Sequence, residues 1–317
     1  MKKIILVLAI FLLGINTNAQ VNEKELLDKN VTAALKLEDT TNVGWKRSGN
    51  IVFLFNQSAF NNDWLGGGTA NMAGNLGLNY DFNYKAGKIV LDNKIIGSYG
   101  LTKLKGQDMT KSDDRLEFTS LLGKKAGEGY WYYSFFLNFK TQMDSGFKKV
   151  TFTNDNGTPL ILGDDFSDSM NVKTSHFFSP AYLQAGPGML WKKSDNLKVN
   201  IAPATSRLIY VHDHFTEFGS AFGVEQGKSS RFEFGAAING YYKLNLMENI
   251  SMENILNLYS NYLDKPQNVD IDYQMNLVMK INKYISTNVA FQALYDDNAR
   301  GAFQIREVFG LGVNYGF

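Results

Sequence analysis

The sequence predicts an all-β protein: a closed antiparallel transmembrane β-barrel of about 12 strands, with short periplasmic turns and longer extracellular loops. Three observations predict it. Long stretches alternate strictly between apolar and polar residues, the connections between them alternate between short and long, and the last stretch carries its apolar residues on one face as far as Phe317. Successive side chains of a strand point to opposite faces, so each such stretch has one greasy and one wet side.

Residues 1–19 read as an address rather than a strand. Lys2 and Lys3 precede the apolar run Ile4–Leu13, and Ala19 ends a short polar stretch before Gln20. That is the layout of a secretory signal peptide cleaved after Ala19. The run is about half the ~20 apolar residues that a spanning helix requires. Residues 20–44 form a polar periplasmic extension in which Leu26, Leu27, Val31, Ala34 and Leu35 can share one helical face. A plug inside the barrel is the other reading of this segment. The barrel is assigned to 45–317.

Twelve stretches follow with a period of two: 49–59, 70–84, 88–103, 114–124, 130–142, 176–192, 197–211, 230–246, 250–263, 268–282, 285–296 and 303–317. In the first three, Met72, Leu76, Leu78, Tyr80, Phe82 and Tyr84 oppose Asn71, Asn75, Asn79, Asp81 and Asn83, and Asp92 and Lys94 lie on a wet face. In 130–142, Trp131, Tyr133, Phe135, Leu137 and Phe139 oppose Ser134, Asn138, Lys140 and Gln142. Pro180, Pro187 and Pro203 interrupt 176–192 and 197–211, because proline cannot donate to a strand ladder. In 230–246, Phe232, Phe234, Ala236, Ile238, Tyr242, Leu244 and Leu246 oppose Arg231, Glu233, Asn239, Tyr241, Lys243 and Asn245. The clearest case is 268–282, where Val269, Ile271, Tyr273, Met275, Leu277, Met279 and Ile281 alternate with mostly polar partners. Tight turns such as 85–87, 193–196, 247–249 and 282–284 alternate with longer loops such as 60–69, 104–113, 143–175 and 212–229. An even strand count with this alternation is the pattern of an outer-membrane barrel.

Composition supports the same class. The 317 residues contain 32 Lys+Arg, 31 Asp+Glu and no Cys. The charge balance gives no basic excess for nucleic acid, and the lack of Cys removes disulfides and thiol chemistry. With 23 Phe, 16 Tyr and 29 Gly against 5 Pro, the chain favours strands and tight turns. A soluble twelve-stranded barrel would have to fill its interior with apolar side chains. Here the wet faces carry Asn, Gln, Asp, Lys and Ser, so the apolar faces point outward to lipid. The last strand places Phe309, Leu311, Val313, Tyr315 and Phe317 on the lipid face. Such a strand is the signal through which the barrel assembly machinery would act as a partner.

Several short motifs resemble one family: Gly44-Trp45, Phe55-Asn56-Gln57, Trp64-Leu65-Gly66-Gly67-Gly68, Lys111-Ser112-Asp113-Asp114, Asn138 through Gln142, Ser179-Pro180-Ala181-Tyr182, Asn261-Tyr262-Leu263-Asp264 with Pro266-Gln267-Asn268, and Tyr295-Asp296-Asp297. Together they resemble the "domain of unknown function 3078" family of Bacteroidota-type outer-membrane barrel proteins, over about 45–317. The resemblance implies a barrel in the outer membrane of a Gram-negative bacterium. It carries no activity and no site residues.

No catalytic, cofactor-binding or metal-binding residues are assigned from the sequence. His212-Asp213-His214 places two imidazoles on one face of an extended chain, but no third ligand adjoins them, and a solvated loop explains them as well. Asn154-Asp155-Asn156-Gly157 and Asp164, Asp165 and Asp168 offer oxygen ligands without calcium-loop spacing. His176 with Ser175 and Ser179 is a neighbourhood for a lipid hydrolase at the rim, and this is the least favoured reading. The candidate lumen-lining set is Asp92, Lys94, Lys140, Arg231, Glu233, Lys243, Glu253, Asp270, Asp272, Lys280 and Arg306. These either line a pore or pair to fill it. The leading expectation is a passive porin-like channel or a binding barrel for a small polar solute. The alternative is a closed structural or adhesion barrel working through its extracellular loops. Outer-membrane lipid is the expected surrounding partner in either case.

Overall fold

A computed structural model describes residues 43–59, 70–151, 169–299 and 301–317. The leader, the 20–42 stretch, the Trp64–Gly68 motif and the acidic positions Asn154–Gly157, Asp164, Asp165 and Asp168 lie outside the described residues.

The alternating stretches are strands: β1 (Gly44–Ser58), β2 (Asn71–Ala86), β3 (Ile89–Leu104), β4 (Thr110–Lys125), β5 (Trp131–Thr141), β6 (Gly146–Thr151), β7 (Ser169–Ser175), β8 (Ala181–Ser194), β9 (Leu197–Tyr210), β10 (Ser230–Met247), β11 (Ile250–Asn261), β12 (Val269–Lys280), β13 (Ile285–Tyr295) and β14 (Gln304–Gly316). Twelve of them close a ring in the order β1-β14-β13-β12-β11-β10-β9-β8-β5-β4-β3-β2, all antiparallel to their neighbours. Closure removes the exposed sheet edges that an open sheet would leave. β6 and β7 pair only with each other, in a hairpin between β5 and β8. The expected 143–175 loop thus contains this pair of short strands.

The prolines sit where the ladder steps. Pro187 falls between Ala185 and Met189, where the β8–β9 register shifts, and Pro203 falls within the irregularity between β9 and β10. At such a step no ladder N–H is needed from that position. Thr205 Oγ1 donates to the Ala202 carbonyl at 2.9 Å and satisfies it locally. The 176–192 stretch becomes strand only at Ala181. Phe178, at φ 59°, reverses the chain, and His176 and Ser179 exchange backbone hydrogen bonds across the turn.

The outward faces are apolar all round the ring. Ile51, Phe53, Leu76, Leu122, Phe135, Ile201, Phe232, Ile238, Leu256, Val269, Ile305 and Leu311 are exposed. Full burial of a side chain of this size is worth roughly 1.5–3 kcal/mol. These dozen, each with a large part of its surface uncovered, would together forgo much of it in water, so this belt belongs against hydrocarbon and the strands span a bilayer. Aromatics border it at both ends. At the short-turn end Trp45 lies against Phe82 and Tyr84, and Phe317 stacks between Tyr80 and Tyr315 at 5.9 and 6.1 Å. At the loop end Phe139 meets Phe178, and Tyr295 meets Phe303. Rings at the two water–lipid boundaries are the girdles of a membrane barrel.

β14 closes on β1 by registering Gly316–Leu311 against Asn50–Phe55. Gly49 and Phe317 extend this ladder by a reciprocal pair of backbone hydrogen bonds at 2.7 and 3.0 Å. The ring of Phe317 lies over Gly49: a Cβ there would fall 2.4 Å from the ring. Gly49 is thus the socket that lets the last ring cover the seam.

Candidate functional site

The candidate site is the barrel interior, because that is where the sequence places charge. Each strand turns its polar residues inward, and ring closure brings residues of remote strands within bonding reach.

Nearer the short-turn end, Lys94 on β3 meets Glu253 on β11 at 2.8 Å. β3 and β11 are diametrically opposite in the ring, so this ion pair spans the lumen. Asp81 flanks Lys94 at 3.4 Å, and the Tyr241 hydroxyl donates to Glu253 at 2.8 Å. Beside it Asp92 on β3 takes Lys192 of β8 at 2.9 Å and Lys198 of β9 at 2.7 Å. Midway up, Lys140 on β5 reaches Asp272 on β12 at 2.6 Å, and Gln292 donates to the other Asp272 oxygen at 2.7 Å. Arg207 on β9 pairs with Asp270 on β12 at 2.5 Å and Glu233 on β10 at 3.3 Å, and its guanidinium stacks on Tyr259 at 3.6 Å. Arg231 holds the second oxygen of Glu233 at 2.9 Å. Towards the loop end Arg306 on β14 pairs with Asp113 on β4, across β1, β2 and β3, and Arg115 pairs with Glu117 along β4.

Nine of the eleven residues in the lumen set therefore join ion pairs. Lys243 and Lys280 are exposed at the short-turn rim and form no ion pair among the described residues. The sequence reading missed Arg207, Arg115, Glu117, Asp113, Lys192 and Lys198. It also missed an apolar cluster on the inner wall, in which Val90, Leu121, Phe136, Leu190, Ala202 and Ala237 pack with Tyr259. Its signal was present: Phe135-Phe136-Leu137 and Leu121-Leu122 place apolar residues on both faces at once. Between these groups lie small cavities of about 130 and 100 Å³, the first lined by Asn50, Asn75, Arg115, Gln274, Asn288 and Gln292 among others. A Ser–Asn ladder continues the polar lining: Ser134 donates to Asn200 at 2.6 Å, and Asn239 to Asn257 at 3.0 Å.

The loop end carries the histidines. His176 lies edge-on to His212 at 5.2 Å and to Phe215 at 5.2 Å. His212 Nδ1 lies 2.6 Å from Asp213, and His214 lies near Glu217. Among the described residues no three His, Asp or Glu side chains converge as a metal site. His176 Nδ1 contacts the Phe177 carbonyl, and the buried Ser179 hydroxyl accepts from the His212 N–H at 2.9 Å. These geometries tie the loops down. They do not pair a nucleophile with a base. In the next loop the Tyr99 hydroxyl donates to Asp144 at 2.7 Å and, with the Ser145 N–H, holds that carboxyl below its ordinary range.

Residues 55–147 match the family described as "Protein of unknown function (DUF3078)", the family the motifs resemble. No curated protein matches the chain. Among solved structures, the chain is similar to the translocator domain of the autotransporter NalP from Neisseria meningitidis, at 10% identity and TM-score 0.38, over 93% of this chain and 96% of that one. It is also similar to the COG4313 outer membrane channel from Pseudomonas putida F1, at 11% identity and TM-score 0.36, over 87% and 95%. A third is the toluene transporter TbuX from Ralstonia pickettii, at 9% identity and TM-score 0.29, over 90% and 92%.

Proposed function

We propose that the chain is a closed barrel of the outer membrane, anchored by its lipid-facing belt, whose activity resides at its loop end and its walls rather than in an open pore. One observation carries the reading: Lys94 and Glu253 meet directly although their strands stand on opposite sides of the ring. An open conduit needs a continuous water column, and a pair joining the two walls interrupts it. The Lys140–Asp272 pair joins strands five steps apart in the ring, and the Arg306–Asp113 pair strands four steps apart, so each narrows the lumen further. This favours the structural or adhesion reading over the porin-like one. A small polar solute held in the cavity beside Arg115 and Gln274 is the second reading, favoured by the amide lining there. The outward row Phe309, Leu311, Val313, Tyr315 and Phe317 suits recognition by the assembly machinery during insertion. No step of this proposal calls on the histidines as catalysts.

The test is single-channel conductance of the purified chain in planar bilayers. Silence with a folded, heat-modifiable barrel supports a closed lumen. Steady salt-dependent steps overturn it.

A further inference from the structure

Among the described residues, the wall of the barrel forks between β1 and β14. β1 and β14 are registered only as far as Phe55 and Leu311. Past that rung β1 runs on paired with β2, Asn56 opposite Ala73 and Gln57 opposite Met72. β14 likewise continues upward from Gly310 to Gln304, paired with β13. The two strands thus part, each held by its other neighbour, and a side-chain bond from Asn56 Nδ2 to the Phe309 carbonyl crosses the fork at 3.2 Å. A cavity of about 360 Å³ occupies the fork. It is lined from both sides of the wall. Phe55, Phe309 and Glu307 face outward, while Asn56, Asn75 and Arg306 face the lumen. Leu54, Asn75, Arg306 and Val308 also line the upper lumen cavity, so the two spaces adjoin.

We propose that this fork is a lateral portal that binds a single-chain amphiphile from the bilayer. The acyl chain lies against Phe55 and Phe309, and the headgroup enters among Asn56, Asn75 and Arg306. The charges select an uncharged, oxygen-rich headgroup. Arg306 is already neutralised by Asp113, and Glu307 at the outer mouth repels an anion. Arg306 Nε is buried and finds no acceptor among the described residues. A buried donor without a partner is costly, and a turn of the Arg306 side chain into the adjoining cavity would offer it to an ester or hydroxyl oxygen. A monoacylglycerol has this chemistry. The proposal rests on the membrane reading and not on the closed lumen.

The test uses the full chain in phospholipid vesicles with a monoacylglycerol that carries a diazirine beside its headgroup. Illumination is expected to label peptides containing Asn75 and Arg306, on the lumen side of the fork. Excess plain monoacylglycerol should suppress that labelling at least tenfold more effectively than the fatty acid of the same length. A second variant, Gln57→Cys with Phe309→Cys, places thiols at the next outward rung above Phe55 and Leu311. The reduced variant, which lacks the Phe309 ring, sets its own baseline: oxidation should staple the fork and remove the lumen-side label that the reduced form retains, and reduction should return the label to that baseline in the same vesicles. Label spread evenly around the outer belt, or lumen label indifferent to the staple, overturns the portal. Equal competition by the fatty acid overturns the headgroup assignment. Conductance steps would overturn the closed lumen alone and leave this test intact.

Discussion

Removing either partner of the Lys94–Glu253 pair should destabilise the barrel, and unequally. Both side chains are only 15% exposed. Stripping one partner from a buried pair costs about 3–5 kcal/mol, because the other charge is left without compensation. Lys94→Met leaves Glu253 with the Tyr241 hydroxyl and with Lys243, which stands opposite it in the β10–β11 ladder but is exposed. The cost should fall near the lower end, about 3 kcal/mol. Glu253→Gln keeps an oxygen for Lys94, and Lys94 keeps Asp81 at 3.4 Å. The loss is then that of one charge-assisted hydrogen bond, about 1.5–3 kcal/mol. The double variant removes both charges together, so it should be no worse than Lys94→Met alone. Equilibrium urea unfolding in lipid vesicles, followed by tryptophan emission, measures all three. The expected inequality fails if Glu253→Gln costs as much as Lys94→Met, and the pairing itself fails if the two losses simply add, since additivity would mean that the side chains do not meet.

Three further outcomes follow from the same structure. Gly49→Ala should push the Phe317 ring off its socket and cost about 0.5–1.5 kcal/mol for the lost aromatic stacking, read as a lower urea midpoint; Phe317→Ala should make that substitution neutral. Arg207→Lys keeps the charge but loses the fork that serves Asp270 and Glu233 and the guanidinium stack on Tyr259, so it should lower stability by about 1–3 kcal/mol rather than behave as a conservative change. The Asp144 carboxyl is held low, so its contribution to ordering the loop is present above the ordinary carboxylate value and is lost as pH falls through the lowered one. The protection factor at Ser145, taken relative to the intrinsic exchange rate at each pH, should therefore fall on acidification, and Tyr99→Phe should shift that fall to higher pH.

The alternation made most of the fold legible. Val269–Lys280 and Ser230–Met247 could hardly be anything but half-greasy strands, and both are. Where the pattern failed, a physical cause is visible. Pro187 and Pro203 blurred two strands because they occupy ladder irregularities, which a period-two reading takes for interruptions. The β6–β7 hairpin escaped because it is short and stands outside the barrel ladder. The interior was only half legible. Periodicity gives the face on which Lys94, Lys140 or Arg306 lies, but not the strand that stands opposite. That depends on ring closure, a property of all twelve strands together. Glu253, Asp272 and Asp113 become their partners only once β14 has returned to β1. The inner cluster around Phe136 and Leu190 was missed for a related reason: an apolar pair such as Leu121-Leu122 looks like a lapse in alternation until the inner wall has apolar neighbours for it.

The central claim is that the two walls of the barrel meet inside it, and the most direct measurement is a bridge between them. With Lys94→Cys and Glu253→Cys in one chain held in vesicles, a short thiol-to-thiol bifunctional reagent should join the two positions within a single molecule, read as a cross-linked peptide carrying both sites. Two thiols that each react with the reagent but never bridge would place those walls apart and contradict the account.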